Sequence, residues 1–261
     1  MGIFAEELNA TAPSEETLVF LPGGGVSGWS WRAVGERLPE YRSLLVDLPG
    51  HGRSRDAGRF SMQFAAAEVE SLIKERAGGS AHVVGLSLGA QVAIQLLATN
   101  AAAVQSAFVS GCLTRPIPGL GNYHLLKATF SLYAPFQNMP WLVRANARSS
   151  GVPREYEEEF AADTRSLTPE MLASVIAANQ SFRLPIGLHG VSTPTLVVVG
   201  EKELGPVKRS ARDLRDSLVR ARAYEVVGRQ HSWPISDAAL CAEGIRAFLQ
   251  GTTLPEQFRP M

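Results

Sequence analysis

Cysteine is scarce. Cys112 and Cys241 are the only two in 261 residues and lie far apart, so neither a disulfide framework nor a thiolate zinc site is indicated, and both read as small packed side chains. A charge excess of either sign is also lacking. The 25 basic residues balance 25 acidic ones, which leaves no electrostatic footprint for nucleic acid or an anionic membrane and points to a small neutral or apolar ligand. No apolar run approaches the roughly 18 to 20 residues that span a bilayer. The leading segment "MGIFAEELNATAPSEET" has acids and no basic region feeding an apolar run, which argues against a secretory signal. Glu6 sits where a myristoylation pattern wants Ser or Thr. A cytoplasmic location is the resulting expectation; no feature specifies an oligomeric state, and there is no internal repeat or low-complexity tract.

What is abundant is apolar. With 45% hydrophobic residues the chain can bury one large core. Short β-branched runs recur at "TLVFL", "SLLVD", "HVVG", "SAFVSG", "TPTLVVVG" and "AYEVVG", mostly separated by helical patterning. This alternation predicts an α/β fold with a mostly parallel sheet covered by helices on both faces, where unbroken apolar strands belong. The rhythm breaks between Cys112 and Thr193, a stretch too long for a plain loop. Its amphipathic segments "YHLLKATFSLY", "PREYEEEFAADTRSL" and "TPEMLASVIAANQSF", punctuated by prolines such as Pro116, Pro118, Pro135 and Pro140, predict a helical cap over 113–193, inserted in a core of 1–112 and 194–261. Glu157, Glu158 and Glu159 read as the solvated face of a cap helix.

The glycines of "FLPGGGVSGWSW" admit two readings. Gly23, Gly25 and Gly28 fit the dinucleotide pattern G-x-G-x-x-G, and Asp47 stands 19 residues beyond Gly28, where a ribose-binding acid belongs. Trp29 and Trp31, however, crowd the helix start that would receive a pyrophosphate. Alternatively, the turn aims backbone N–H groups into a catalytic cleft and stabilises a developing oxyanion.

"HVVGLSLGAQVAIQLLA" decides between them. It places Gly85-Leu86-Ser87-Leu88-Gly89, a G-x-S-x-G, between a strand and an amphipathic helix, the context that motif requires. The sharp turn needs minimal side chains at Gly85 and Gly89. It projects Ser87 above the sheet at a helix N-terminus, with the Leu88 N–H free to bind an oxyanion. A serine hydroxyl needs a base. Among five histidines, His51 lies in a glycine-rich loop, His82 begins a strand, and His124 and His189 belong to the cap segment. His231 alone follows the last of these strands, in "RQHSWP", and so opens onto the same sheet edge as Ser87. A carboxylate must fix its tautomer. The turn "EKELG" after "TLVVVG" offers Glu203, deeper in the loop, with Glu201 as its rival; Ser110, Gly111 and Cys112, at the end of "SAFVSGC", carry none.

The chain order Ser87, Glu203, His231, together with "DLPGHGRS", resembles the α/β-hydrolase superfamily in a capped form, from Leu18 to Leu249. The resemblance implies that the early glycine loop supplies a second oxyanion donor, by position the N–H of Gly24, with Gly25 the nearest rival; Pro22-Gly23 replaces the family's usual His-Gly pair. It implies a serine carboxylesterase acting on a small apolar ester, lactone or thioester, without metal or organic cofactor. Serine argues against the dehalogenases and epoxide hydrolases of the superfamily, which use aspartate. Carbon–carbon hydrolase, perhydrolase, hydroxynitrile lyase and a non-catalytic small-ligand receptor stay open. Trp29, Trp31, Phe130, Tyr133, Phe136, Trp141 and Phe182 are the aromatic candidates for an apolar pocket, with packing as their alternative role.

Overall fold

The computed structural model describes residues 2–117, 120 and 122–261; Pro118, one of the prolines expected to punctuate the cap segment, lies outside them. The apolar runs form strands β2 (Thr17–Leu21), β3 (Arg42–Val46), β4 (Ala81–Leu86), β5 (Val104–Ser110), β6 (Thr195–Gly200) and β7 (Ala221–Val226). Two short edge strands, β1 (Ala5–Leu8) and β8 (Phe258–Pro260), complete one sheet of order β1-β3-β2-β4-β5-β6-β7-β8. Neighbours pair in parallel except at the edges, where β1 runs antiparallel to β3 and β8 antiparallel to β7. The edges were not foreseen, for a physical reason. "AEEL" places Glu7 on Arg42 and Arg76 instead of burying it, and "FRP" is only three residues long. Short, charged or proline-bearing strands suit a sheet edge but carry little β signal.

The helices are α1 (Arg32–Gly35), α2 (Met62–Arg76), α3 (Leu88–Thr99), α4 (Tyr123–Tyr133), α5 (Pro140–Ser149), α6 (Glu157–Ser166), α7 (Pro169–Ser181), α8 (Gly205–Ser217), α9 (Trp233–Ser236) and α10 (Ala238–Gln250). Strand residues alternate between two cores, as side chains on a pleated strand must. Val19, Leu21, Val197 and Val199 pack towards α2, α3 and α8. Leu18, Phe20, Leu196 and Val198 pack towards Trp31, α9 and α10. The centre of the sheet is therefore dry on both faces. The segment between β5 and β6 contains α4, α5, α6 and α7, and α4 lies against α7.

Strand order sets the order of the loops along the carboxyl edge. Because β2, β4, β5, β6 and β7 are parallel and adjacent, the residues that follow them stand side by side: Gly24, Ser87, Gly111, Glu203 and His231. Pairing of Leu21 with Gly85 sets the glycine loop beside Ser87, and pairing of Gly200 with Val226 sets the Glu203 turn beside the His231 loop.

Candidate active site

Ser87 occupies the turn between β4 and α3 with φ 55° and ψ −109°, a left-handed backbone that a non-glycine residue adopts only under constraint. Its N–H donates to Ser110 O at 2.8 Å, and its carbonyl accepts from Gln91 N at 3.1 Å. The flanking glycines are sterically required. A Cβ on Gly85 would lie 2.6 Å from Gly89 O, and one on Gly89 would strike the carbonyls of Leu21 and Pro22. The turn is thus wedged between two strands with no room for side chains on either flank. Leu88, as the first helical residue, has no intrahelical acceptor for its N–H.

Gly24 lies next to it. A Cβ there would be 3.8 Å from Leu88 Cβ and 3.0 Å from Val175 Cγ1, whereas one on Gly25, at φ +85°, would approach Leu167. Among the described residues, no protein acceptor takes the N–H of Gly24 or of Leu88. Further along the loop, the N–H groups of Ser27 and Gly28 are held by buried carboxylates. Asp47 accepts from Gly28 N and Arg53 N, both at 2.8 Å. Asp163, on α6, accepts from Ser27 N at 2.8 Å, Ser27 Oγ at 3.0 Å and Trp29 Nε1 at 2.6 Å. Burial pushes both carboxyls above their ordinary range, and the donated hydrogen bonds pull part of the way back. Asp47, with both oxygens engaged by backbone, is a loop clamp and no ribose ligand.

His231 donates its Nδ1–H to Glu203 Oε1 at 2.8 Å. That bond fixes the tautomer with the Nε2 lone pair available. The Glu203 side chain is 3% exposed and that of His231 43%, so the pair is buried at the carboxylate end and open to the cavity at the imidazole. Burial alone depresses the imidazole pKa; the hydrogen bond and charge of Glu203 more than offset it, and the net shift is upward. Trp233 Nε1 anchors the loop by donating to Ser110 Oγ at 3.0 Å, and Gly200 lets the Arg229 and Gln230 carbonyls close against β6. Glu201, the rival acid, faces away: it accepts from Gly228 N at 2.7 Å and pairs with Arg259 at 3.6 Å.

Gly111 explains why the end of β5 bears no acid. It has φ +64°, and a Cβ there would lie 2.8 Å from His231 Cε1 and 3.1 Å from Glu203 Oε1. Any side chain at this point of the edge would displace the pair.

Ser87 and His231 line two cavities at once. One, of about 360 Å³, is bounded by the loop from Gly23 to Val26 and by Phe130, Tyr133 and Leu167. The other, of about 410 Å³, is bounded by Gly111, Glu203, Lys202 and Asn179. Of the aromatic candidates, Phe130 and Tyr133 face the first cavity, and Tyr133 OH accepts from Asn146 Nδ2 of α5 at 2.8 Å. The others do not. Trp29 is buried, stacked on Tyr156 at 5.6 Å and bonded to Asp163. Trp31 packs on Phe20 and Phe182 joins the main core. Phe136 and Trp141 point to solvent, 51% and 63% exposed. The other histidines lie elsewhere: His51 is buried with Nδ1 3.1 Å from Pro49 O, His82 Nδ1 meets Ser106 Oγ at 2.8 Å, and His124 and His189 are exposed.

Asp163 and Gly111 were not found from sequence. An Asp in an acidic helix gives no sign of burial, and a glycine after a strand reads as a turn. Asp163 is the strongest polar tie between the α4–α7 insert and the sheet, seconded by Gln91, which donates to Leu113 O and Asn179 O and accepts from Asn179 Nδ2. Asp163→Ala strands three buried donors at about 1–3 kcal/mol each, partly relieved by relaxation. The expected loss is about 3 kcal/mol in denaturant unfolding, well above that of an exposed control such as Glu158→Ala.

The chain belongs to the alpha/beta hydrolase family, whose model matches residues 18–243. An AB hydrolase superfamily protein of Gibberella zeae is 28% identical over 94% of this chain and 84% of its own length. A Mycobacterium tuberculosis esterase is 41% identical over 33% of this chain and 29% of its own. The solved enol-lactonase of Burkholderia xenovorans superposes with TM-score 0.75 at 20% identity, over 95% of this chain and 96% of that one. With family and fold agreeing, the protein is an α/β hydrolase.

Proposed function

We propose that this hydrolase is a serine carboxylesterase, with Ser87 as nucleophile, His231 as general base and Glu203 as the acid that orients it. The reading rests on the Nδ1–Glu203 hydrogen bond, which leaves His231 Nε2 to face the cavities it shares with Ser87. His231 Nε2 takes the Ser87 proton as Oγ attacks the ester carbonyl. The N–H groups of Gly24 and Leu88 hold the oxyanion. The tetrahedral intermediate collapses, the imidazolium returns its proton to the leaving alcohol, and an acyl-serine remains. Water, deprotonated by the same imidazole, then releases the acid and restores Ser87. The α4–α7 insert serves as the cap, and Phe130, Tyr133 and Leu167 favour a small, largely apolar acyl group. The esterase names among the relatives agree with this reading.

Short acyl nitrophenyl esters should turn over, and a fluorophosphonate should label Ser87 and no other serine. Binding without turnover or labelling would instead make the protein a receptor on this fold. The pH profile has a definite sign. His231 must be neutral to accept a proton, and its pKa lies above the ordinary 6.5, so the acid limb of kcat/KM should have its midpoint above 6.5. Glu203→Gln removes the charge and weakens the hydrogen bond while burial stays, so the residual activity's midpoint should move downward. The same shift contributes stability that is full below the unfolded pKa and fades as pH rises through the folded one.

A further inference from the structure

Overall neutrality conceals a local asymmetry. From Ala77 to Arg154 the chain has no Asp or Glu, while Arg115, Lys127, Arg144, Arg148 and Arg154 supply positive charge. Arg115 pairs with Asp213 at 2.5 Å and Lys127 with Glu170 at 2.9 Å. Among the described residues, Arg144, Arg148 and Arg154 pair with no carboxylate, and all three are exposed.

The same segment exposes large apolar side chains. Among the described residues, six of the nine exposed large hydrophobics fall between 120 and 141, so the exposed apolar side chains are concentrated in one segment. α4 has no buried residue. Its inner face gives Phe130 and Tyr133 to the cavity, while Leu125 and Leu132, seven apart on the opposite face, are 60% and 78% exposed. Phe136 and Met139 continue the patch to α5, where Trp141, Arg144 and Arg148, at i, i+3 and i+7, share one exposed face.

We propose that the outer face of α4 and α5 docks the protein on an anionic lipid surface. Leucines and phenylalanine enter the acyl boundary, Trp141 lies at the headgroup level, and the two arginines, on flexible stems, reach lipid phosphates. A second copy fits less well, because a two-fold contact would set an acid-free cationic face against itself. The inference is independent of the reaction assigned above.

The test is co-sedimentation of the full chain with vesicles of equal parts phosphatidylglycerol and phosphatidylcholine, against phosphatidylcholine alone. Binding to the anionic vesicles only is expected, weakening from about 0.1 M to about 1 M salt as the Debye length falls from about 10 Å to about 3 Å. R144Q/R148Q should lower partitioning roughly 25-fold, at about fivefold per arginine. L125S/L132S should lower it about tenfold or more by removing buried apolar area. Both pairs lie on the surface, so far-UV circular dichroism and the unfolding midpoint should match those of the parent. Failure to bind anionic vesicles overturns the proposal, as does binding that neither pair weakens. A dimer by size exclusion that L125S/L132S dissolves, without vesicle binding, would reassign the face to contact between copies.

Discussion

Ser87→Ala should reduce kcat for a short acyl ester about a millionfold while leaving the unfolding free energy within about half a kcal/mol of the parent. The first figure follows serine proteases, where removing the nucleophile costs about that much and the oxyanion donors and binding retain roughly a thousand- to ten-thousandfold over water. The second follows from the fold. Among the described residues the Ser87 hydroxyl makes no hydrogen bond to protein; the turn is held by its backbone, through Ser110 O and Gln91 N. Alanine keeps the Cβ that this strained backbone already tolerates and removes only the oxygen. Loss of activity with unchanged stability would therefore locate the chemistry at the hydroxyl. Burst-phase stopped-flow separates the steps: the parent should release one equivalent of nitrophenol ahead of steady state wherever deacylation is slower, and the variant none. Retention of more than about one per cent of turnover would mean that the nucleophile lies elsewhere.

What the sequence made legible tracks how local each signal is. The interior strands could be read most easily where both faces are dry: β2 and β6 are buried along their whole length, so "TLVFL" and "TLVVVG" are nearly unbroken apolar runs, whereas β7 exposes Arg222 and shows only in its apolar end "AYEVVG". "YHLLKATFSLY" matches α4 end to end. Ser87, Glu203 and His231 each follow a recognisable strand, and parallel pairing alone carries them to one edge. The cavity wall was less legible. In α4, apolar residues fall on both sides of the helix, so periodicity cannot tell Phe130 and Tyr133, which face the cavity, from Leu132, which faces solvent. That choice depends on how α4 sits against α7 and on the Tyr133–Asn146 contact with α5, both long-range. Trp29 misleads for a related reason. It looks like a pocket aromatic because it follows the glycine loop, yet the Asp163 carboxylate, 134 positions away, captures its indole N–H. Whole-chain charge is a coarse signal of the same kind, since a sum over 261 residues cannot report that 77–154 has no acid.

Glu203→Gln should lower kcat about ten-thousandfold, whereas Glu201→Gln should change it by no more than a fewfold. The two acids are two residues apart in one turn, yet their environments differ in kind. The Glu203 side chain is 3% exposed and has the His231 Nδ1–H as its hydrogen-bond donor; Glu201 is 36% exposed and serves Gly228 N and Arg259 at the outer edge of the sheet. Glutamine is nearly isosteric with glutamate, but its amide is as able to donate as to accept. When its NH₂ faces the ring, Nδ1 must accept and the proton moves to Nε2, which then cannot take one from Ser87. Serine proteases lose about ten-thousandfold from the equivalent change. The imidazolium formed during attack also loses the charge that stabilises it beside a nearly unexposed group, where solvent screens least. Glu201→Gln keeps an acceptor for Gly228 N and gives up only a half-exposed ion pair, worth about 0–1 kcal/mol, so its effect should fall on stability near β7 and β8. Equal losses in the two variants would break the assignment of Glu203. A large loss confined to Glu201→Gln would show that this turn rearranges when substrate binds.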